Sequence, residues 1–293
     1  GGTAQFGGDN ITLNSASLNF QGTPSFDNGS TLSVKNSGEL ILQSGATIND
    51  SSLNFTSSTF KPSGAVSLTG SSHITFDSGC YSWWLLCPSS VMLEGDSTLS
   101  QSGSVTWPSP DLNGNALTLN VDNMTLSGEQ IIGTGESLSS GSSYLYLDDK
   151  LTIVNGGTLS SDNGSVTISS ILNLNGDLRQ GGGILDLRYG GTVGPTGRLD
   201  VSNSELKLGP APYSGATPDT KSLHFPGTLV VNSGTSWSGF GGTVDLSAGT
   251  LESSGGSLNL DQFTTGANTA FKLSGNTEIT SSDNMTFGTL DLG

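Results

Sequence analysis

Basic residues are scarce in this chain: nine Lys and Arg stand against 25 Asp and Glu, a formal charge of −16 over 293 residues. Nucleic acid and anionic lipid are bound through a basic footprint, so neither is expected as a partner. Long apolar runs are missing as well. The longest, Trp83-Trp84-Leu85-Leu86, falls far short of the ~18 residues of a membrane span, and no membrane insertion by this segment is expected. Histidine is nearly absent (His73 and His224), and the two cysteines, Cys80 and Cys87, have no second Cys or His cluster to complete a zinc site. No metal or cofactor is expected. Apolar residues at helical spacing are lacking too, which leaves an all-β chain.

What the chain does have is glycine, 43 residues of it, and short alternating bursts: Leu117-Thr118-Leu119, Leu172-Asn173-Leu174, Leu185-Asp186-Leu187, Leu258-Asn259-Leu260. Period-two alternation marks strands with one face buried and one in water. Leu, Ile, Val and Phe make up about a quarter of the chain, enough for a thin core. The bursts recur. Residues 31–45 align without a gap on 65–79, placing Leu32 over Val66 and Leu40 over Ile74; Ser17-Leu18-Asn19-Phe20 returns as Ser52-Leu53-Asn54-Phe55, and Gly157-Thr158-Leu159 as Gly191-Thr192-Val193. These offsets of 34 to 35 residues, with sparse aromatics and turn residues after each burst, predict a β-solenoid rather than a sandwich, since each strand would stack on its copy one coil later. The expectation is one solenoid domain over 1–293 with roughly 9–12 coils and about two dozen strands. Loop excursions are expected at 80–88 and at the Pro-rich 209–227. The alternation turns the charges of Asp186, Asp200, Glu205, Lys207 and Asp245 outward. The ends at Gly1-Gly2 and Leu290-Asp291-Leu292 read as boundaries of a piece of a larger secreted protein.

The cadence Leu151-Thr152-Ile153-Val154-Asn155-Gly156-Gly157-Thr158-Leu159, with Gly249-Thr250-Leu251 and Leu229-Val230-Val231-Asn232-Ser233-Gly234-Thr235 as variants, resembles the passenger regions of bacterial autotransporters and filamentous-haemagglutinin-type adhesins. That resemblance implies a right-handed parallel β-helix exported to the cell surface for adhesion.

Parallel β-helices also carry polysaccharide-cleaving enzymes, so catalysis is weighed on the residues. A glycosidase needs two facing carboxylates. The best pair, Asp148-Asp149, reads better as a solvated turn with Lys150 as counter-charge, and no nucleophile elbow or calcium nonapeptide is present. The chain is expected not to be an enzyme, with a polysaccharide lyase or hydrolase as the lesser alternative. Cys80 and Cys87 are expected to pair as a disulfide in an oxidising, extracellular compartment. Closing so short a loop restricts the unfolded chain by ~2–3 kcal/mol and would hold Tyr81, Trp83, Trp84, Leu85 and Leu86 as a shaped aromatic tip for a glycan or a cell-surface protein, the expected partners. The same aromatics could instead fold back to cover the solenoid. Self-association and a ligand-free matrix spacer stay open alternatives. The seven Asn-x-Ser/Thr sequons are what so Ser- and Thr-rich a chain produces by chance.

Overall fold

A computed structural model describes the chain except residues 1–3, 70–71, 77–89, 94, 142–143, 188, 209–222, 240–243, 262 and 283. Among the described residues there are 36 strands and no helix. Their neighbours in sheets are parallel, and together they form a β-solenoid of about 11 turns. Two compact units divide the chain: 1–128 with 136–142, and 129–135 with 143–293.

The earlier turns of the first unit each carry three short strands, one per sheet, and the later ones carry the 12-residue strands Ser97–Pro108 and Ala116–Ser127. One sheet stacks Asn10–Asn14, Thr31–Lys35, Ser52–Thr56 and His73–Phe76; a second stacks Ser17–Phe20, Glu39–Leu42, Thr59–Pro62 and Ser90–Val91. The third includes Gln5–Gly7, Ser25–Asp27, Ala46–Asn49 and Gly64–Thr69. Leu32 lies against Leu53, and Leu53 against Ile74, so one coil is 21 residues. The side chains that alternate inward, among them Phe26, Leu32, Val34, Leu40, Leu42, Phe55 and Phe60, are buried. Their neighbours along each strand face water, as the pleat requires. Trp107 belongs to this core: it is buried, and its ring meets Phe60 edge-on at 6.0 Å.

The 34-residue repeat is therefore not the coil. Strands follow one another about every seven residues, and 34 to 35 residues is five strand steps: Ser17–Phe20 to Ser52–Thr56, or Thr158–Ser161 to Gly191–Val193. Five steps over a three-strand coil land on a different sheet, so Val66 pairs with Ala46 and Leu99 instead of with Leu32. All strands share the same inside-outside pattern, which is why the sequence matches itself at that spacing without the residues stacking.

The second unit repeats the plan. Thr158–Ser161, Asp177–Gln180, Arg198–Val201, Thr228–Val231, Thr250–Ser253, Ala270–Leu273 and Thr289–Asp291 stack as one face. A second face contains Tyr144–Leu147, Ser165–Ile168, Gly183–Leu187, Ser204–Leu208 and Ser236–Gly239. The third runs from Gln130–Ile132 through Leu151–Ile153, Leu172–Leu174, Gly191–Val193, Leu223–His224 and Val244–Asp245 to Phe263–Thr264. Of the excursion expected at 209–227, residues 209–222 lie outside the described residues, while Leu223 and His224 are strand, paired with Gly191 and Thr192.

Each strand of the first of these faces is entered through a tight corner. A Cβ on Gly176, Gly197, Gly227 or Gly249 would sit 1.9–2.3 Å from a backbone carbonyl oxygen of the preceding turn. Only glycine admits so close a backbone approach. This is the physical content of the Gly-Thr-Leu cadence: a corner glycine, an outward residue, then an inward Leu.

Candidate functional site

The face that begins at these glycines carries two outward columns in register. One reads Thr158, Asp177, Arg198, Thr228, Thr250, Ala270, Thr289; the other reads Ser160, Arg179, Asp200, Val230, Glu252, Lys272, Asp291. Charges of both signs are thereby brought together by chain segments up to 74 residues apart, as Arg198 and Lys272 are. Coil spacing of ~4.8 Å puts neighbours in a column within reach of each other.

Glu252 is the centre of the network. Its Oε2 accepts from Arg198 Nη1 at 2.9 Å and its Oε1 from Lys272 Nζ at 3.0 Å. Arg198 comes from two coils earlier, and its reach crosses the coil of Val230, which is only 5% exposed although it points outward. Asp200 Oδ1 accepts from Asn232 Nδ2 at 3.1 Å, and Asn232 Oδ1 accepts from Ser254 Oγ at 2.7 Å. Arg198 Nη2 stands 3.8 Å from Asp200. Around these side chains lies a groove of about 370 Å³, lined also by Leu273, Ser274 and Asp291.

Partial burial works against ionisation of Glu252, but the hydrogen bonds and charges of Arg198 and Lys272 outweigh it and hold the carboxyl below its ordinary range. On other faces, Asp245 is held low chiefly by hydrogen bonds from Ser247, with His224 Nδ1 at 3.0 Å adding to it. Glu39, hydrogen-bonded to Lys61 and Ser17, is held low too. A carboxylate kept ionised is a fixed charge suited to recognition, whereas a general acid needs a raised value.

The sequence-derived candidates fall as follows. Cys80, Tyr81, Trp83, Trp84, Leu85, Leu86 and Cys87 lie outside the described residues. Asp148 and Asp149 are both exposed; Lys150 does not neutralise them but pairs with Glu129 at 2.6 Å, while Asp149 Oδ1 accepts from the Lys150 backbone N–H. Asp200, Glu205, Lys207 and Asp245 are partly exposed as expected from alternation, but Asp186 is only 5% exposed despite lying opposite the inward Leu185 and Leu187. His73 pairs with Ser52 in the sheet, so it does not share a position with Glu39. Sequence reasoning did not single out Arg198, Glu252 or Lys272 as a group. The signal was there in charges next to inward apolar residues, Arg198 beside Leu199, Glu252 beside Leu251 and Lys272 between Phe271 and Leu273, but it could be assembled only with the correct coil step.

Compared with known proteins, the chain matches no family model, no curated protein and no solved structure.

Proposed function

We propose that this chain is a non-catalytic recognition module of a secreted or cell-surface protein, an adhesin-type solenoid of the kind found in autotransporter passengers and filamentous haemagglutinins. It holds a glycan or a protein partner on its outward columns. The observation that carries this reading is the groove around Glu252. Side chains from successive coils fix one another there, so a ligand meets polar groups whose ordering cost has already been met within the protein. The acidic, lysine-poor surface and the single close cysteine pair accord with an extracellular setting. The loop from Cys80 to Cys87 is a second contact proposed from sequence.

The test is to incubate the purified chain with soluble and insoluble polysaccharides and with cells, scoring both retention and shortened products. Retention without products is the expected result. New reducing or unsaturated ends would replace this reading with a polysaccharide-cleaving one, and retention on nothing would leave a spacer. Trp83→Ala with Trp84→Ala should weaken retention in a protein whose melting is unchanged; full retention would remove the loop from the binding surface.

A further inference from the structure

The second face of the second unit presents Tyr144 and Tyr146 outward from one strand, two of only five tyrosines in the chain. Neither is needed for the core, because the alternate residues Leu145 and Leu147 fill it and are fully buried. The two rings are nearly parallel, 13° apart in plane with centroids 6.3 Å apart. Tyr144 remains 37% exposed. Its hydroxyl donates to Thr167 Oγ1 on the next coil at 3.2 Å, which fixes the ring's direction. On that coil Ser165 and Thr167 stand in register with Tyr144 and Tyr146. Amphipathic rings on a rigid strand, beside a hydroxyl-bearing strand, suit a ligand that has flat apolar C–H faces rimmed by hydroxyl groups.

We infer that Tyr144 and Tyr146 form a stacking platform for successive sugar rings of an extended neutral glycan. This rests on the recognition reading above and names the ligand chemistry for one face. Charge decides against an acidic polymer: the chain is at −16, and the exposed Asp148 and Asp149 follow the tyrosine strand directly. Ser165 places a hydroxyl at the rim of the rings, the buried Thr167 holds the Tyr144 hydroxyl in place, and the ring faces supply the apolar contact.

The experiment is calorimetric titration of the chain with neutral gluco-, manno- and galacto-oligosaccharides and with oligogalacturonate as the acidic control. The wild type is compared with Tyr144→Ala/Tyr146→Ala and with Tyr144→Phe/Tyr146→Phe, and melting curves establish that each variant is folded. The platform predicts binding of a neutral series that tightens with chain length. It predicts a loss on the order of tenfold in the double alanine variant, and a loss under about threefold in the phenylalanine variant, which keeps the ring faces. Unchanged affinity in the double alanine variant, or preference for the acidic oligomer, would overturn the platform while leaving recognition intact. Binding of no neutral oligosaccharide by a wild type that is still retained on cells would overturn it equally. Failure of the wild type on every glycan and every cell would take the recognition reading down with it.

Discussion

Two series of corners, one in each unit, solve one geometric problem with different chemistry. Both must turn the chain sharply between sheets while satisfying the corner's backbone groups. The first unit stacks buried serines at the corner before one sheet: Ser30, Ser51 and Ser72, one per coil. The Ser51 hydroxyl lies 3.2 Å from the Ser30 backbone N–H, the Ser72 hydroxyl lies 3.4 Å from that of Ser51, and Ser72 also donates to the carbonyl of Ile48. At the corner before a different face, the second unit removes the side chain altogether, with glycines at 176, 197, 227 and 249, as Gly45 does once in the first unit. Where Thr269 replaces glycine in that series, it is buried and its hydroxyl donates to the Leu246 carbonyl at 2.7 Å, so the serine solution reappears for one coil. Cores differ in the same direction. Rings of Phe6, Phe20, Phe26, Phe55, Phe60 and Trp107 touch in the first unit, whereas Leu, Val and Ile fill most of the second. A corner that hydrogen-bonds can be weakened by degrees; one that excludes a Cβ cannot.

The largest effect expected from breaking this contrast is at Gly249. A side chain there would start 1.9 Å from the Phe225 carbonyl oxygen, so Gly249→Val should cost upwards of ~4 kcal/mol or prevent folding, read by urea denaturation. Next comes the aromatic core: Phe60→Ala should lose ~3–5 kcal/mol in the same measurement, because Phe55 and Trp107 cannot both close on the space. Ser51→Ala should lose only ~1–2 kcal/mol, the cost of one buried hydrogen-bond partner. If Ser51→Ala and Gly249→Val cost the same, the two corners are not different devices.

The smallest effect is on acid stability. Glu252 titrates below its ordinary range in the folded chain. Its ion pairs therefore add stability that is fully present above the unfolded value and disappears as the pH falls through the folded one. The pairs are partly solvated, so the contribution is at most about 1 kcal/mol. Stability measured from neutral pH down into the acid range should fall slightly less steeply in Glu252→Gln than in the wild type. An identical slope would show that the pairs do not help to hold the coil.

The class of fold was legible because it rests on local alternation: Leu172-Asn173-Leu174 declares its buried face within three residues. The coil length was not. Every strand carries the same pattern, so Ser17-Leu18-Asn19-Phe20 matches Ser52-Leu53-Asn54-Phe55 as well as it would a true neighbour, although Leu18 stacks on Leu40. The groove was hidden for the same reason. The step from Arg198 to Thr228 is 30 residues, longer than the usual coil, and Glu252 falls in the column of Asp200, beside Arg198, only once that longer step is allowed for. Tyr144 and Tyr146 were visible as a Tyr-x-Tyr pair, but a pair of outward rings acquires meaning only when the strand that orders them is known.

The measurement that bears most directly on the whole account is retention of the fourfold variant Arg198→Ala, Asp200→Ala, Glu252→Ala and Lys272→Ala on whichever surface holds the wild type, with its melting temperature taken alongside. If the coils provide the structure and the outward columns the recognition, retention falls at least about tenfold while melting moves by only a few degrees, as expected for solvated surface charges. Undiminished retention by a folded variant would contradict the assignment of recognition to this face.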